Sequence, residues 1–255
     1  MRSLRGVLVM ACGLALSACA LFVGKAVDPM PTKVVEPRDG AHAGRVVIVL
    51  PGRADSLEGL AQSGIAAAIQ DGDPSAEVIL AGATMPYYLD GGLQRRLHDQ
   101  LIAPTLARGA REIWIAGASM GGMGALMYER EHPGEVTGLV LMAPYAGESD
   151  LIHEIHEAGG PLRWNPGPPP DELNRDTVPR EEWRVIRSWH DRPDLARRVW
   201  LICGDEDRFV EGARMIAPLL PEGHYQELPG RHAWTVWNRG AAAAFRQIAT
   251  ANRPD

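Results

Sequence analysis

The chain has 255 residues, 45% of them hydrophobic and 23% charged, with a formal net charge of −6. That composition suits one globular domain with a sizeable core, although the length alone also admits two. The negative balance and the lack of a basic stripe argue against a nucleic-acid binder, and neither an internal repeat nor a long low-complexity tract is present.

The first twenty residues, MRSLRGVLVMACGLALSACA, differ in kind from the rest. Arg2 and Arg5 precede an apolar run from Gly6 to Ala18, the charged and apolar regions of an export signal. An uncleaved anchor is the alternative, since apolar residues continue to Gly24, nearly long enough to cross a bilayer. The run closes on Leu16-Ser17-Ala18-Cys19, which resembles the lipobox of bacterial lipoproteins. That resemblance implies cleavage before Cys19, a diacylglycerol on its sulfur, and a membrane-anchored protein of the cell envelope. Ala20 in place of aspartate implies the periplasmic face of the outer membrane. On this reading residues 1–18 are the signal, 19–44 a lipidated tether with one short strand over 33–36, and 45–251 the folded domain. Only Cys203 is then left, which excludes an internal disulfide; in the apolar run VWLICG it reads as a small buried hydrophobe.

Past the tether, apolar runs alternate with helical patterns. RVVIVL (45–50) is a β-branched run of the buried-strand kind, and PGRADS after it is a loop. Residues 57–70 have helical spacing with Ser56 as N-cap. Strands are expected over 76–81, 111–117, 136–143, 197–204 and 223–230. Helices are expected over 93–108, 120–131, 210–219 and 233–251. This order predicts an α/β fold with a mostly parallel sheet, helices on both faces, and active groups beyond the carboxyl ends of the strands. Residues 144–193 break the rhythm, with a short helix pattern over 150–158, the tract GGPLRWNPGPPP, and REEWRVIRSWH. Fifty residues are too many for a plain crossover, so the segment reads as a lid inserted over the strand ends.

Gly117-Ala118-Ser119-Met120-Gly121 fits G-x-S-x-G at a strand-to-helix junction. A turn that sharp exposes the serine hydroxyl, and larger residues at the two glycines would collide with neighbouring backbone. The helix that follows aims its N-terminus at the site, where partial positive charge favours an oxyanion. A serine needs a base to take its proton, and His232 in PGRHAW, between the last strand and the last helix, is the candidate. Its bland alternative is a surface histidine at a helix start, and its rival is His224. His153 and His156 read as a solvated helix face, not a metal pair. The base needs an acid to orient it, and CGDEDRFV offers Asp205, Glu206 and Asp207. Asp207 is preferred, Asp205 is the runner-up and Asp150 a third option.

The order Ser119, Asp207, His232, each just after a strand, resembles the α/β-hydrolase superfamily over roughly residues 45–251, and GASMGGMGAL looks most like its esterase branch. The acid turn is similar to the family's G-x-x-D-x-x-V, which favours Asp207. By the same resemblance the oxyanion hole takes the N–H of Met120 and one from the loop after the early strand, here Arg53. This chain departs from the usual H-G-G there, with Pro51-Gly52-Arg53; the backbone donor survives, and the Arg53 side chain is either a cation near the substrate or an ordinary exposed loop arginine. The expected function is hydrolysis of a small-molecule or lipid ester through an acyl-enzyme on Ser119, with no metal or organic cofactor. Tyr145 and Trp164 are expected to line the substrate pocket; Trp183 and Trp189 either do the same or pack the lid. Thioester cleavage, acyl transfer, and a non-catalytic envelope binder on the same fold are the alternatives.

Overall fold

The computed structural model describes residues 24–40 and 44–251. Seven strands form one sheet in the order β1-β3-β2-β4-β5-β6-β7. They are β1 (Thr32–Val35), β2 (Arg45–Leu50), β3 (Glu77–Ala81), β4 (Glu112–Ala118), β5 (Gly138–Met142), β6 (Val199–Gly204) and β7 (Tyr225–Leu228). Only β1 runs antiparallel, against β3; every other pairing is parallel. β2, β3, β5 and β6 are buried along their whole length. Helices cover both faces of such a sheet, so its strands are continuous apolar runs instead of alternating ones. The expected α/β-hydrolase architecture of a mostly parallel sheet with helices is the one observed.

Several elements differ from the sequence expectation. The helix expected over 57–70 is two, α1 (Leu57–Gln62) and α2 (Ile65–Gly72). Gly64 between them has φ +84°, a left-handed conformation that ends the first helix and that glycine adopts without steric cost. A short helix α3 (Met85–Leu89), which the sequence did not suggest, follows β3. The helix expected over 93–108 is continuous in course but not in type. α4 (Leu93–Leu97) passes through a π turn (His98–Ile102) into α5 (Ala103–Ala107), with Pro104 depriving the ladder of one N–H. The helix expected over 120–131 matches α6 (Met120–Glu131).

The insertion carries α7 (Ser149–Glu157), α8 (Val178–Ser188) and α9 (Pro193–Ala196). Beyond β6 come α10 (Val210–Ile216), a 3₁₀ turn (Ala217–Leu219), β7 and the closing helix α11 (Trp234–Ala251). The described part of the expected tether is docked on the domain. Besides β1, the Met30 N–H donates to Gln100 at 2.7 Å, Tyr87 donates to the Val27 carbonyl at 2.7 Å, and Arg38 pairs with Asp71 at 2.6 Å. Cys12 and Cys19 lie outside the described residues. Cys203 is buried, and burial pushes its thiol up to about 12, so it is the inert hydrophobe expected.

Candidate active site

Ser119 stands between β4 and α6 with φ 53° and ψ −113°, a conformation rare for a residue with a Cβ. Its surroundings hold it there. Its N–H donates to the Met142 carbonyl of the neighbouring strand at 2.9 Å. Its carbonyl accepts from Gly122 and Tyr145 at 3.0 Å and from Met123 at 3.3 Å. The flanking glycines are dictated by space. A side chain at Gly117 would run into the Gly121 carbonyl, and one at Gly121 into the carbonyls of Leu50 and Pro51. The elbow thus presses against the end of β2, which brings the PGRADS loop to the serine. A Cβ at Gly52 would lie 3.9 Å from that of Ser119.

His232 lies in the loop between β7 and α11. Its Nδ1 is 2.8 and 2.9 Å from the two carboxylate oxygens of Asp207. Asp207 is buried and also accepts the Phe209 N–H at 2.9 Å. A carboxylate on Nδ1 selects the tautomer that leaves Nε2 as the acceptor. The imidazole is wedged edge-to-face between Phe209 at 5.1 Å and Trp237 at 4.6 Å, which leaves the ring little freedom to turn.

The other acids of CGDEDRFV serve the same loop differently. Asp205 accepts the Gly230 N–H at 2.8 Å, and Glu206 pairs with Arg231 at 3.1 Å. Three consecutive acids therefore grip three consecutive residues of the histidine loop, and Asp207 is the one that reaches His232. Asp150 is exposed and accepts from the Leu151 N–H at the start of α7. His224 bonds the Val199 carbonyl and stacks on Trp200 at 4.0 Å, a packing role.

Met120 is the first residue of α6, so its N–H has no carbonyl one turn back to bond. Arg53 is exposed in the turn that follows Gly52. That turn is braced by Asp55, which accepts the Gly52 N–H at 3.1 Å and the Trp234 indole N–H at 3.2 Å. Asp55, Phe209, Trp234 and Trp237 are the site residues that sequence reasoning missed. Asp55 reads in sequence only as a loop aspartate, because its partner lies 179 positions away.

Tyr145 follows the tip of β5. Its N–H holds the Ser119 carbonyl, its ring meets Phe209 edge-on at 5.8 Å, and its hydroxyl donates to Glu148 at 3.1 Å. Burial, then the bond to Glu148, pushes this phenol up to about 12. Trp164 is 2% exposed, its indole N–H donates to Glu154 at 2.8 Å, and Arg180 covers its ring. Its polar edge and its face are both taken up inside the insertion. Trp183 and Trp189 are likewise buried, and the Trp183 indole donates to the Ala146 carbonyl at 2.7 Å. The partners of Trp164 and Trp183 all lie within the insertion.

Behind this wall lies Glu182, with 0% exposure and both carboxylate oxygens without a hydrogen-bond partner. Burial raises it well above the ordinary carboxylate range. Among the described residues the group with metal-ligand spacing is His98, His132 and Glu135. It sits at the far end of α6, about 18 Å from Ser119 for a 12-residue helix. Sequence reading missed it because 34 or more positions separate His98 from the other two.

A family model described as "Putative esterase" matches residues 92–248, a span that contains Ser119, Asp207 and His232. No curated protein matches the chain. Among solved structures, Est1E from Butyrivibrio proteoclasticus with bound ferulic acid is similar at 16% identity and a TM-score of 0.55, covering 87% of this chain and 94% of its own. Mycobacterium tuberculosis MPT51 (FbpC1) is similar at 17% and 0.62, with 88% and 94% covered. An S-formylglutathione hydrolase from Agrobacterium tumefaciens is similar at 13% and 0.58, with 88% and 92% covered. At these identities the structures speak to fold. The family match covers more than half of the chain, and the chain belongs to the esterase family, as a carboxylic ester hydrolase on the α/β-hydrolase fold.

Proposed function

We propose that the protein cleaves carboxylic esters through an acyl-enzyme on Ser119, with His232 as general base and acid and Asp207 as its orienting carboxylate. The observation that carries this reading is the Asp207–His232 pair: an imidazole held at Nδ1 by a buried carboxylate, clamped between two aromatic rings. His232 Nε2 takes the Ser119 proton as Oγ attacks the ester carbonyl carbon. The carbonyl π electrons move to oxygen, where the N–H groups of Met120 and Arg53 receive the negative charge. Collapse expels the alkoxide, which takes the proton from His232. Water, deprotonated by His232, then releases the acid and regenerates Ser119. The strained φ of Ser119 supports the reading, because strain at a non-glycine residue is kept where geometry matters.

Replacing Ser119 by alanine and assaying short p-nitrophenyl esters tests the assignment. The expected result is loss of turnover together with loss of fluorophosphonate labelling in folded protein; unchanged turnover overturns it. The same reading places the domain at the periplasmic face of the outer membrane, tethered through lipidated Cys19. Cys19→Ala is expected to move the protein from the membrane fraction to the soluble fraction; retention in the membrane argues for the uncleaved anchor.

A further inference from the structure

We infer that His98, His132 and Glu135 form a binding site for a divalent metal ion of the zinc class, separate from the reaction at Ser119. The three donors come from three places. His98 opens the π turn, His132 is the C-cap of α6, and Glu135 lies in the turn beyond it. Their ligand atoms all lie within 4.8 Å of one another.

Each imidazole has one Glu135 oxygen within the distance that separates donors around a small ion. His98 Nε2 is 3.3 Å from Glu135 Oε1, and His132 Nδ1 is 3.5 Å from Glu135 Oε2. Donors bound at about 2.0–2.2 Å in a tetrahedral shell stand roughly 3.3–3.6 Å apart, so each imidazole already stands at that separation from one of the two Glu135 oxygens, and the rings must turn to converge on a single ion. Imidazole nitrogen and carboxylate oxygen are the donor set that suits zinc and its neighbours.

The outer contacts are those of a metal site. Asp99 lies 2.8 Å from His98 Nδ1, a carboxylate on the outer nitrogen that would leave Nε2 free to ligate an ion beside Glu135. Tyr128 donates its hydroxyl hydrogen to Glu135, orienting the carboxylate. The π turn itself adds an extra residue per turn at this spot, a distortion often kept at functional sites.

The side chains of His98, His132 and Glu135 are 33%, 30% and 25% exposed, so an ion reaches them from solvent and a water completes the shell. The two imidazoles stack at 5.0 Å with 9° between their planes. Ligation turns them out of that stack about χ2, a torsion with a broad well. A bound ion would fasten the C-terminal end of the nucleophile helix to the π turn, and stabilise the fold by binding only the folded chain.

The full chain, stripped by chelator dialysis, is titrated with Zn²⁺ by calorimetry and with Co²⁺ by visible absorption. One saturable equivalent, a tetrahedral Co²⁺ band and a Tm that rises with Zn²⁺ concentration are expected. His98→Ala and Glu135→Gln are each expected to abolish the band and the Tm rise, while His153→Ala, on α7, keeps both. Asp99→Asn retains all three ligands and is expected to weaken binding by about 10–100-fold, the usual cost of losing an outer carboxylate. Absence of saturable binding by the parent chain overturns the site and leaves only a proton-dependent cluster of imidazoles around Glu135. Binding that persists in His98→Ala and Glu135→Gln overturns it equally.

Discussion

Asp205, Glu206 and Asp207 are chemically alike and adjacent, yet their partners separate them. Asp205 and Glu206 brace the histidine loop through Gly230 and Arg231, and Asp207 alone bonds the imidazole. Two variants should therefore part ways. Asp207→Asn is expected to lower kcat by about 10⁴-fold with the fold intact, because an amide favours the wrong tautomer of His232. Asp205→Ala is expected to lower Tm while leaving most of kcat, because it frees a loop N–H without touching the ring. Steady-state kinetics beside thermal melts check both. The G-x-x-D-x-x-V pattern pointed to Asp207, but pattern alone left Asp205 standing; only the fold of the 229–232 loop back over β6 assigns each acid its partner.

At the scale of elements, the elbow depends on β4, α6 and the end of β2 touching backbone to backbone. Gly121→Ala is expected to cost about 1–3 kcal/mol, since its methyl meets the carbonyls of Leu50 and Pro51. In a domain of this size that is a Tm loss of roughly 2–4 °C per kcal/mol, with activity falling further as Ser119 is displaced. The PGRADS loop is held by Asp55 across to Trp234 at the start of α11. If the Arg53 N–H is the oxyanion donor proposed above, Asp55→Ala is expected to reduce kcat about 100-fold, because that donor loses its fixed position. A fall in kcat larger than the rise in KM is the readout. The strands and α6 were legible because buried apolar runs and strong helical spacing dominate their local preference. The break at Gly64 and the helix α3 were not. Both turn on a single dihedral or a short capped stretch, which periodicity over a window averages away.

For the whole molecule, the insertion buries Trp164, Trp183 and Trp189, and it holds Glu182 fully buried without a hydrogen-bond partner. The sign of the pH effect follows from burial. The folded protein holds the Glu182 proton to a pH well above the point, near 4.3, where the unfolded chain releases it. From this group, stability is greatest below the unfolded value and falls as pH rises toward the raised folded value. The slope is about 1.4 kcal/mol per pH unit while the proton is retained. Glu182→Gln is expected to match the parent near pH 4 and to exceed its Tm increasingly toward pH 8. Melts at several pH values test this, and parallel curves would refute it. The buried phenol of Tyr88, also without a partner, and Tyr145 are the titratable groups that sense Glu182, and neither is charged in that window.

The amino-acid order by itself determined the alternation of strands and helices, the elbow at Ser119, and the order of Ser119, Asp207 and His232 after successive strands. These rest on short-range preferences: apolar periodicity, turn residues, and spacing within one strand-loop-helix unit. Tertiary structure decided which acid meets His232, that Asp55 ties the β2 loop to α11, that the three tryptophans of the insertion are buried, and that His98 comes to face Glu135. Each of these joins residues tens to nearly two hundred positions apart. Their meeting depends on how whole elements stack over the sheet, which no local window of sequence contains.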